Sequence, residues 1–225
     1  MPQLAVVFDV DGVLVDSYQA HFESWRQLYG ELGIEYSEAA FAADFGRTSR
    51  DILLRTLHSE ISNERIRALD ERKEALFRAI IRRDFPAMDG AEELIGALAA
   101  DGFALAVGSS GPPENIALAI EKLRGGEHIQ VTVTGMDVTR GKPDPQVFQL
   151  AAERLGVSTN QCAVVEDAVH GIEAAKRAGM AAIALVGTAT RADLDGADLV
   201  VDSLRELGPA IVRELIIRTA ELDRR

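Results

Sequence analysis

A short apolar run near the start of the chain ends in two acidic residues and a glycine. Leu4 to Phe8 carries no charge, as in a parallel strand buried on both faces, and the chain continues as Asp9-Val10-Asp11-Gly12. Carboxylates beside a hydrophobic core persist only when a positive charge pairs with them, and a divalent cation is a suitable partner. Because ligands of open α/β sheets bind outside the carboxyl ends of the strands, this segment predicts a metal-assisted site in such a sheet.

From residue 87 onward, apolar strand-like runs alternate with helical patterns. Gly102, Gly156 and Gly179 each follow a helical stretch, where glycine often ends a helix, and Gly171 is expected to allow close packing of a helix on the sheet. The alternation predicts an α/β fold with a doubly wound parallel sheet. The expected strands are Phe103–Ser109, Gln130–Thr134, Cys162–Glu166, Ala181–Val186 and Asp198–Val201; the expected helices are Ala91–Ala100, Glu114–Lys122, Pro145–Leu155 and Val169–Ala178, with one or two closing helices in Ser203–Leu222.

Residues 17 to 86 interrupt this alternation with helical patterns and no convincing strand. We therefore expect two domains, an α/β core from 1–16 and 87–225 and an inserted all-helical cap domain from 17–86. Both junctions leave from strand ends, so the cap is expected to act as a lid that excludes water during the reaction. The residues expected on one face of the first cap helix are Tyr18, Phe22, Trp25, Leu28 and Leu32.

Two further strand-like runs precede residues that are suited to holding a phosphate. Ser109 and Ser110 lie where a hydroxyl and free backbone N–H groups before a helix form a phosphate cradle; the alternative is that Ser110 only caps that helix. Lys142 follows the third expected strand, where its ammonium can neutralise both a phosphate and a neighbouring carboxylate; the alternative is a solvated loop lysine. These residues extend the predicted site along the same edge of the sheet.

A second acidic pair, Glu166 and Asp167, ends another apolar strand. With Asp9 and Asp11 it offers three or four oxygen ligands for a hard cation such as Mg²⁺, whereas helix capping by Asp167 is the alternative. Of the first pair, one carboxylate would bind Mg²⁺ and attack an electrophile while the other transfers protons. Gly12 lets the backbone pass close to a ligand and presents its N–H, although an ordinary turn after a strand has the same pattern.

The order and spacing of these groups resemble the four motifs of the haloacid dehalogenase superfamily of phosphohydrolases and phosphomutases. The resemblance covers essentially the whole chain, including the position of the helical cap, and implies a Rossmann-like core. Two segments, Gly141–Pro145 and Glu166–Met180, resemble the branch that contains β-phosphoglucomutase, phosphoglycolate phosphatase and small sugar-phosphate phosphatases. The matching motifs are Asp9-Val10-Asp11-Gly12, Ser109, Lys142 and Glu166-Asp167.

The resemblance implies roles for the acidic residues in a Mg²⁺-dependent phosphoryl transfer. Asp9 would be a metal ligand and the nucleophile that forms an aspartyl-phosphate. Asp11 would be the general acid and base, and its backbone carbonyl would ligate Mg²⁺. Asp167 would ligate the metal directly and Glu166 through water. An acid at the position of Asp11 argues against a true dehalogenase, which needs no leaving-group proton.

The resemblance also implies a phosphate-binding set. Ser109 and Lys142 would hold the transferring phosphoryl group and take part in catalysis. From their positions in the sequence, and not from the resemblance, Gly12 and Ser110 are expected to add backbone and hydroxyl contacts to the phosphate. Mg²⁺ and Lys142 would offset the charge that otherwise repels a carboxylate from a phosphate.

Residues in the cap segment are candidates for reading the substrate's leaving group. His21 would face the catalytic Asp pair, or would lie at the edge of the aromatic core. Arg47 and Arg50 would recognise a hydroxyl or a second anionic group, with Ser49 either beside them or acting only as a helix N-cap. The phosphoglucomutases that the chain resembles have a lysine before the loop glycine, and here the segment is Phe45-Gly46-Arg47, which argues against mutase activity. The shared His21, Trp25 and Ser49-Arg50 favour it, so the mutase alternative stays open. The charge-rich stretch from Glu71 to Glu74 is expected to be solvated.

Composition restricts the partners and the compartment. The formal charge of the 225-residue chain is −12, from 36 acidic and 24 basic residues, which argues against nonspecific nucleic-acid binding. Cys162 is the single cysteine, so no intramolecular disulfide is expected. No apolar run approaches the ~18 residues of a membrane span, and the first residues lack a signal-peptide pattern. We expect a soluble cytoplasmic protein, a monomer or small homo-oligomer, with no nucleic-acid or membrane partner.

The combined prediction is a Mg²⁺-dependent phosphatase of a small phosphorylated metabolite, such as a sugar phosphate, acting through phospho-Asp9. The first alternative is a β-phosphoglucomutase-like phosphomutase, which returns the phosphoryl group to a second hydroxyl before water reaches it. A non-catalytic phosphoacceptor or binding protein is the alternative from another class. The presence of all four motifs together disfavours it.

Overall fold

The computed structural model describes residues 3–44, 47–57 and 61–222. Within these ranges, no helix is both long enough and apolar enough to cross a membrane. The predicted cap-loop residues Phe45 and Gly46 lie outside the described part of the chain.

The chain divides into two compact units. One unit comprises Met1–Asp16 and Pro86–Arg225, and the other comprises Ser17–Phe85. The division falls beside the predicted junctions, with Pro86 in the first unit instead of the inserted segment. That the two units are independent domains, and that the helical one is a lid, stays a prediction.

The first unit is built on one parallel sheet of six strands in the order β3-β2-β1-β4-β5-β6. The chain winds outward from β1 in one direction and then in the other, so the switch point lies between β1 and β4. The predicted α/β fold with a doubly wound parallel sheet is confirmed. The strands are β1 (Ala5–Phe8), β2 (Ala104–Gly108), β3 (Ile129–Val133), β4 (Cys162–Glu166), β5 (Ala181–Leu185) and β6 (Leu199–Val201).

The helices that follow the strands begin and end close to the predicted residues. The largest boundary differences are one residue, as where the helix after β3 begins at Gln146 instead of Pro145 and the helix after β4 ends at Arg177 instead of Ala178. The helices are α1 (Tyr18–Glu31), α2 (Glu38–Asp44), α3 (Ser49–Leu57), α4 (Asn63–Arg83), α5 (Ala91–Ala100), α6 (Pro113–Lys122), α7 (Gln146–Leu155), α8 (Val169–Arg177) and α9 (Pro209–Leu222).

Central strands of the sheet are apolar along their whole length because they are covered on both faces. β1, β2, β4 and β5 are buried at every residue, and Val7 pairs with Ala106 on one side and with Val164 on the other. Phe148 of α7 and Ile172 of α8 pack into the cluster that includes Val7. Burying a side chain of that size contributes roughly 1.5–3 kcal/mol, so α7 and α8 are firmly attached to the strands that lead to the predicted site.

The chain leaves and re-enters the first unit at adjacent points. The Asp16 N–H donates to the Pro86 carbonyl at 2.9 Å, and the Met88 N–H donates to the Leu14 carbonyl at 3.0 Å. Val15 also forms an antiparallel bridge with Ala87. The two ends of the inserted segment are therefore held together by backbone hydrogen bonds of the first unit.

Among the described residues of the second unit, helices are the only regular secondary structure. α1 and α4 make the main pair. Trp25 and Leu28 of α1 are buried as the helical pattern predicts, and Tyr29, which the predicted face did not include, is buried as well. The Trp25 and Tyr29 rings stack with centroids 5.6 Å apart, within the range of favourable aromatic pairs. An all-helical composition of the inserted segment agrees with the prediction.

Candidate active site

The nucleophile candidate lies at the centre of the sheet. Asp9 directly follows β1, and its N–H donates to the Val165 carbonyl at 3.0 Å, which extends the pairing with β4 by one residue. Its side chain is buried, with 7% of the residue exposed. The chain then turns sharply, since the Val10 carbonyl accepts from the N–H groups of both Leu14 and Val15 at 2.9 Å. A turn after the strand was one interpretation of the sequence, and these two bonds show a turn that fixes the backbone around Asp11.

Gly12 is required at its position by conformation and by space. Its φ of +76° lies in the left-handed region, and a Cβ there would stand 2.0 Å from Oδ2 of Asp167. The glycine therefore lets the turn after β1 approach the carboxylate that follows β4. Thr188, in the loop after β5, also donates its hydroxyl to the Asp167 carboxylate.

Lys142 joins the two acidic strand ends. Its Nζ lies 2.6 Å from Oδ1 of Asp9 and 2.6 Å from Oε1 of Glu166. The ammonium also lies 4.9 Å from the centroid of the Phe148 ring, the geometry of a cation–π contact. The solvated-loop alternative for this lysine is wrong, because its side chain is only 11% exposed and both contacts are internal.

Glu166 uses both of its oxygens within the protein. Oε1 receives Lys142, and Oε2 accepts the N–H groups of Asp167 at 2.9 Å and Ala168 at 3.0 Å. A Cβ on Gly171 would stand 1.9 Å from Cδ of Glu166, so this glycine makes room for the carboxylate. Gly171 thus allows α8 to approach the end of β4 closely, as expected, and the group that fills the space beside it is the Glu166 carboxylate. The helix-capping alternative for Asp167 is also wrong, since the N-cap of α8 is Ala168 without a side-chain cap bond.

Ser109 and Asp11 converge on the turn after β2. The Ser109 N–H donates to the Val133 carbonyl at 3.0 Å, and its Oγ accepts the Gly111 N–H at 3.2 Å. A Cβ on Gly111 would lie 3.6 Å from Ser109 Oγ and 3.8 Å from Asp11 Oδ2, which places both groups beside this glycine. Ser110 is exposed, and it does not cap α6, whose N-cap is Pro112.

Negative charge exceeds positive charge at this edge of the sheet. Burial raises the pKa of Asp9, and the carboxylates of Glu166 and Asp167 add to this effect, while Lys142 opposes it without cancelling it. Burial and Glu166 likewise raise the pKa of Asp167. Burial by itself would lower the pKa of Lys142, but the adjacent carboxylates of Asp9 and Glu166 raise it, so the lysine stays charged. Three buried carboxylates thus share one ammonium.

This donor set fits a divalent cation. Within residues 3–44, 47–57 and 61–222, no three His, Cys, Asp or Glu side chains surround a common point as metal ligands. The predicted set needs only the carboxylates of Asp9 and Asp167, with the Asp11 backbone carbonyl and a water-mediated Glu166. The raised pKa values at Asp9 and Asp167 mean that Lys142 does not fully compensate these two buried carboxylates, and a hard cation would supply the further positive charge.

In the helical unit, His21 belongs to a buried polar cluster on α1 and α4. Its Nδ1 lies 2.9 Å from Nζ of Lys73, and its ring stacks on Phe77 with a centroid distance of 4.2 Å. Lys73 is 4% exposed and also pairs with Glu74 at 2.9 Å. The expectation of a solvated Glu71–Glu74 stretch is therefore wrong at Lys73. A run of alternating charges in the sequence does not indicate that one of its side chains is buried.

The arginines of the predicted cap loop are both paired. Arg47 Nε lies 3.9 Å from the buried carboxylate of Asp44, and Arg50 Nη1 donates to Oδ1 of Asn63 at 2.7 Å. The N-cap alternative for Ser49 is wrong, because the hydroxyl of the preceding Thr48 accepts the Asp51 N–H at 3.2 Å. Ser49 is instead the first residue of α3.

The structure thus brings together the core residues predicted from the sequence at the carboxyl ends of β1, β2 and β4 and in the loop after β3. The group consists of Asp9, Asp11, Gly12, Ser109, Lys142, Glu166 and Asp167. His21, Arg47, Ser49 and Arg50 belong to the other unit, and their part in substrate recognition stays a prediction. The contacts of Lys73 with His21 and of Thr188 with Asp167 were not predicted from the sequence. For Thr188, its position just after a strand could have identified it as a candidate site residue.

Known proteins resemble this chain over most of its length. A family model described as haloacid dehalogenase-like hydrolase matches residues 4–179. Validoxylamine A 7'-phosphate phosphatase of Streptomyces hygroscopicus subsp. limoneus is 32% identical over 204 residues, covering 89% of this chain and 94% of that protein. β-Phosphoglucomutase of Bacillus subtilis (strain 168) is 29% identical over 217 residues, covering 93% and 94%.

A solved structure agrees with this relationship. The crystal structure of a HAD hydrolase of family IA, variant 3, from Entamoeba histolytica has a TM-score of 0.85 and 28% identity, and the match covers 96% of this chain and 100% of that one. The predicted superfamily and the prediction of a hydrolytic enzyme are confirmed. With the family model matching well over half of its residues, this chain belongs to the haloacid dehalogenase-like hydrolase family.

Proposed function

We propose that this chain is a Mg²⁺-dependent phosphatase that hydrolyses a small phosphorylated metabolite through a phospho-Asp9 intermediate. The observation that carries the proposal is the position of Asp9, buried at the end of the central strand and 2.6 Å from Lys142. A carboxylate in such a site can approach a phosphate only when cations offset the repulsion between them. Lys142 supplies one such cation, and the excess of carboxylates supports a second.

In the first half-reaction, Asp9 attacks the phosphorus of the substrate. Lys142 holds Oδ1 of Asp9, which leaves Oδ2 to form the new O–P bond while the bond from phosphorus to the leaving oxygen breaks. Ser109 and Lys142 bind the oxygens of the transferring phosphoryl group. Asp11, in its protonated form, gives its proton to the leaving oxygen, so an alcohol departs.

In the second half-reaction, water attacks the phosphorus of phospho-Asp9. Asp11, now ionised, takes the proton of the attacking water, and the bond from phosphorus to the Asp9 oxygen breaks. Inorganic phosphate leaves, Asp9 is again a carboxylate and Asp11 is again protonated. The convergence of Asp11 and Ser109 beside Gly111 supports this role, because the acid must lie next to the phosphoryl site.

Mg²⁺ would be held by the carboxylates of Asp9 and Asp167 and by the backbone carbonyl of Asp11. Bound there, it supplies charge neutralisation for the nucleophile and the phosphate. Thr188 orients Asp167 through its hydroxyl, and Gly12 lets the backbone approach that carboxylate. We assign Glu166 first to holding Lys142, because both of its oxygens already accept bonds within the protein.

The substrate that we propose is a sugar phosphate or a similar polyhydroxylated monophosphate. The supporting fact is the likeness to the phosphatase of validoxylamine A 7'-phosphate and to β-phosphoglucomutase, whose names specify such compounds. The helical unit would read the leaving group, with His21, Arg47, Ser49 and Arg50 as the contacting residues. The acidic protein as a whole favours this local cationic recognition over binding to nucleic acid.

The test is phosphate release from a panel of phosphorylated metabolites, with Mg²⁺ and with EDTA. We expect Mg²⁺-dependent release from one class of compound, and loss of this release by at least about 10³-fold in Asp9→Asn, as for removal of a nucleophile. Gln149→Met on the exposed face of α7 is the control for expression and folding. Full activity of Asp9→Asn on a proven substrate would refute the phospho-Asp9 route.

A phosphomutase is the second candidate, and the observation that favours it is the 29% identity with β-phosphoglucomutase over 93% of the chain. Such an enzyme would return the phosphoryl group of phospho-Asp9 to a second hydroxyl. Product analysis by NMR after incubation with both anomers of glucose 1-phosphate separates the candidates. Free phosphate indicates the phosphatase, and glucose 6-phosphate with little free phosphate indicates the mutase.

A further inference from the structure

We propose that Gln146 is a positioning residue for Lys142, because its side-chain oxygen fixes the loop that carries the lysine. The inference deepens the proposed function and rests on it for its kinetic readout. Gln146 is the first residue of α7, and Lys142 lies four positions before it in the loop after β3. The two side chains have different tasks, since Lys142 bonds to the catalytic carboxylates whereas the Gln146 side chain accepts hydrogen bonds from the loop residues Thr139 and Arg140.

A single oxygen of Gln146 accepts three hydrogen bonds. Oε1 receives the Thr139 N–H at 3.0 Å, the Thr139 hydroxyl at 3.2 Å and the Arg140 N–H at 3.1 Å. These donors come from the two residues just before Gly141 and Lys142. Two of the three donors are backbone N–H groups, so these hydrogen bonds hold the main chain of the loop in place.

The turn on the other side of Lys142 is closed as well. The Gln146 N–H donates to Oδ1 of Asp144 at 3.1 Å, and the Asp144 N–H donates to the Gly141 carbonyl at 3.0 Å. Arg140 Nε pairs with Oδ2 of Asp144 at 2.8 Å. Gln146 is thus bonded on both sides of the lysine, through its side chain to residues before it and through its N–H to a residue after it.

The beginning of the loop has its own anchor, which separates its effect from that of Gln146. Asp137 accepts from the N–H and the hydroxyl of Thr134 and from Arg154 of α7. The Arg154 hydrogen bond and those from Thr134 lower the pKa of Asp137 to about 2, so this anchor keeps its charge at any working pH. A change of the Gln146 side chain therefore loosens the Lys142 end of the loop while the β3 end stays fixed.

Lys142 is sensitive to such a change because it must reach two strands at once. Its Nζ lies 2.6 Å from carboxylates at the ends of β1 and β4, so a displacement of the loop lengthens at least one of the two contacts. A misplacement of ~1 Å at a reacting group can cost on the order of 100-fold in rate. α7 itself is fixed by the buried Phe148 ring beneath Lys142, which gives Gln146 a rigid base.

The experiment compares four variants of the full-length enzyme. Gln146→Met removes the acceptor at similar volume, Gln146→Glu keeps it, and Gln149→Met makes the same change one turn further along α7 at an exposed side chain. We measure kcat and KM for the best phosphate ester, the melting temperature, and the Lys142–Asp9 and Lys142–Glu166 distances in crystal structures. Gln146→Ala is a second acceptor-deletion variant.

We expect Gln146→Met to lower kcat about tenfold, below the ~100-fold limit for a 1 Å misplacement, with KM changed less than about twofold. The kcat of Gln146→Glu should stay within about threefold of the wild-type value, and the kcat of Gln149→Met should equal the wild-type value. In the Gln146→Met crystal, at least one Lys142 contact should lengthen. The proposal is overturned if both contacts keep their length, if kcat is unchanged, or if both acceptor deletions only unfold the protein. Failure of the wild type to release phosphate would refute the proposed function, and the crystal distances would still decide the positioning role.

Discussion

Replacing Gly171 by alanine should destabilise the protein, although alanine is the better helix former. Gly171 lies inside α8, where alanine is favoured over glycine by about 1 kcal/mol when nothing else interferes. Here a Cβ would stand 1.9 Å from Oε1 of Glu166, far inside contact distance. Glu166 is 1% exposed, and its carboxylate is held by Lys142 and by two backbone N–H groups, so it cannot turn away freely.

The size of the effect follows from the cost of the clash with Glu166 and from the higher helix propensity of alanine, which opposes that cost. Overpacking of a buried site costs about 1–3 kcal/mol, and breaking a buried ion pair costs about 3–5 kcal/mol. After the helix-propensity gain of about 1 kcal/mol, partial relaxation of Glu166 leaves a net loss of about 2–4 kcal/mol in the free energy of unfolding. For a chain of this length that loss lowers the melting temperature by about 4–16 °C.

A matched control is available at Gly96. It lies inside α5 with nothing within 4 Å of its would-be Cβ, so Gly96→Ala should stabilise the protein by up to about 1 kcal/mol. Denaturant unfolding of both variants, and of Gly171→Ala in a Glu166→Ala background, measures the coupling. If the clash with Glu166 is the cause, most of the penalty disappears in the double variant. An unchanged penalty in that background, or a stable Gly171→Ala single variant, would refute the reasoning.

Three other results are expected. In EDTA, the free energy of unfolding should fall as pH rises from 4 toward 8. Burial raises the pKa of Asp9 to about 8 and that of Asp167 to about 7 in the folded state, compared with 3.8 in the unfolded state. The folded state therefore binds more protons than the unfolded state in this pH range and loses stability as they dissociate. Each carboxyl contributes a slope of up to ~1.4 kcal/mol per pH unit to the free energy of unfolding. Added Mg²⁺ should reduce this slope, and Asp9→Asn should halve it. Urea titrations at pH 6 and pH 8 measure the slope, and a flat profile contradicts the prediction. Lys142→Met should lower kcat by at least about 10²-fold while Lys176→Met, at a half-exposed surface pair, stays near wild type in the same phosphate assay. Lys73→Met should lower the melting temperature less than Lys73→Ala, because methionine keeps the packing against Trp25 and Phe77 that alanine loses.

The sequence was sufficient for the sheet and for the core site because both depend on local patterns. Uncharged runs identify buried strands, and polar residues at their carboxyl ends meet at one edge when the strands are parallel. Asp9, Lys142 and Glu166 could therefore be grouped before any distance was known. The family resemblance then supplied roles that composition and spacing alone do not distinguish.

Contacts that depend on side-chain direction could not be predicted. Gly171 looked like an ordinary small residue for helix packing, because only the three-dimensional path of Glu166 shows what fills the space beside it. Lys73 lies in a run of charges, and its burial depends on His21, which is 52 residues away in sequence. Thr48 and Ser49 are both suitable N-caps, and a difference of one residue in helix start decided between them.

The backbone bonds between Asp16 and Pro86 have a consequence for how such a chain can diversify. Because the two ends of the inserted segment are already joined across a 2.9 Å hydrogen bond, the loop-closure entropy of the insertion is met by the α/β unit itself. On this argument, a change in the length or sequence of the segment should leave the strand register of the sheet unchanged. In the proposed function, the chemistry then depends on the sheet and the selectivity on a segment that can vary separately.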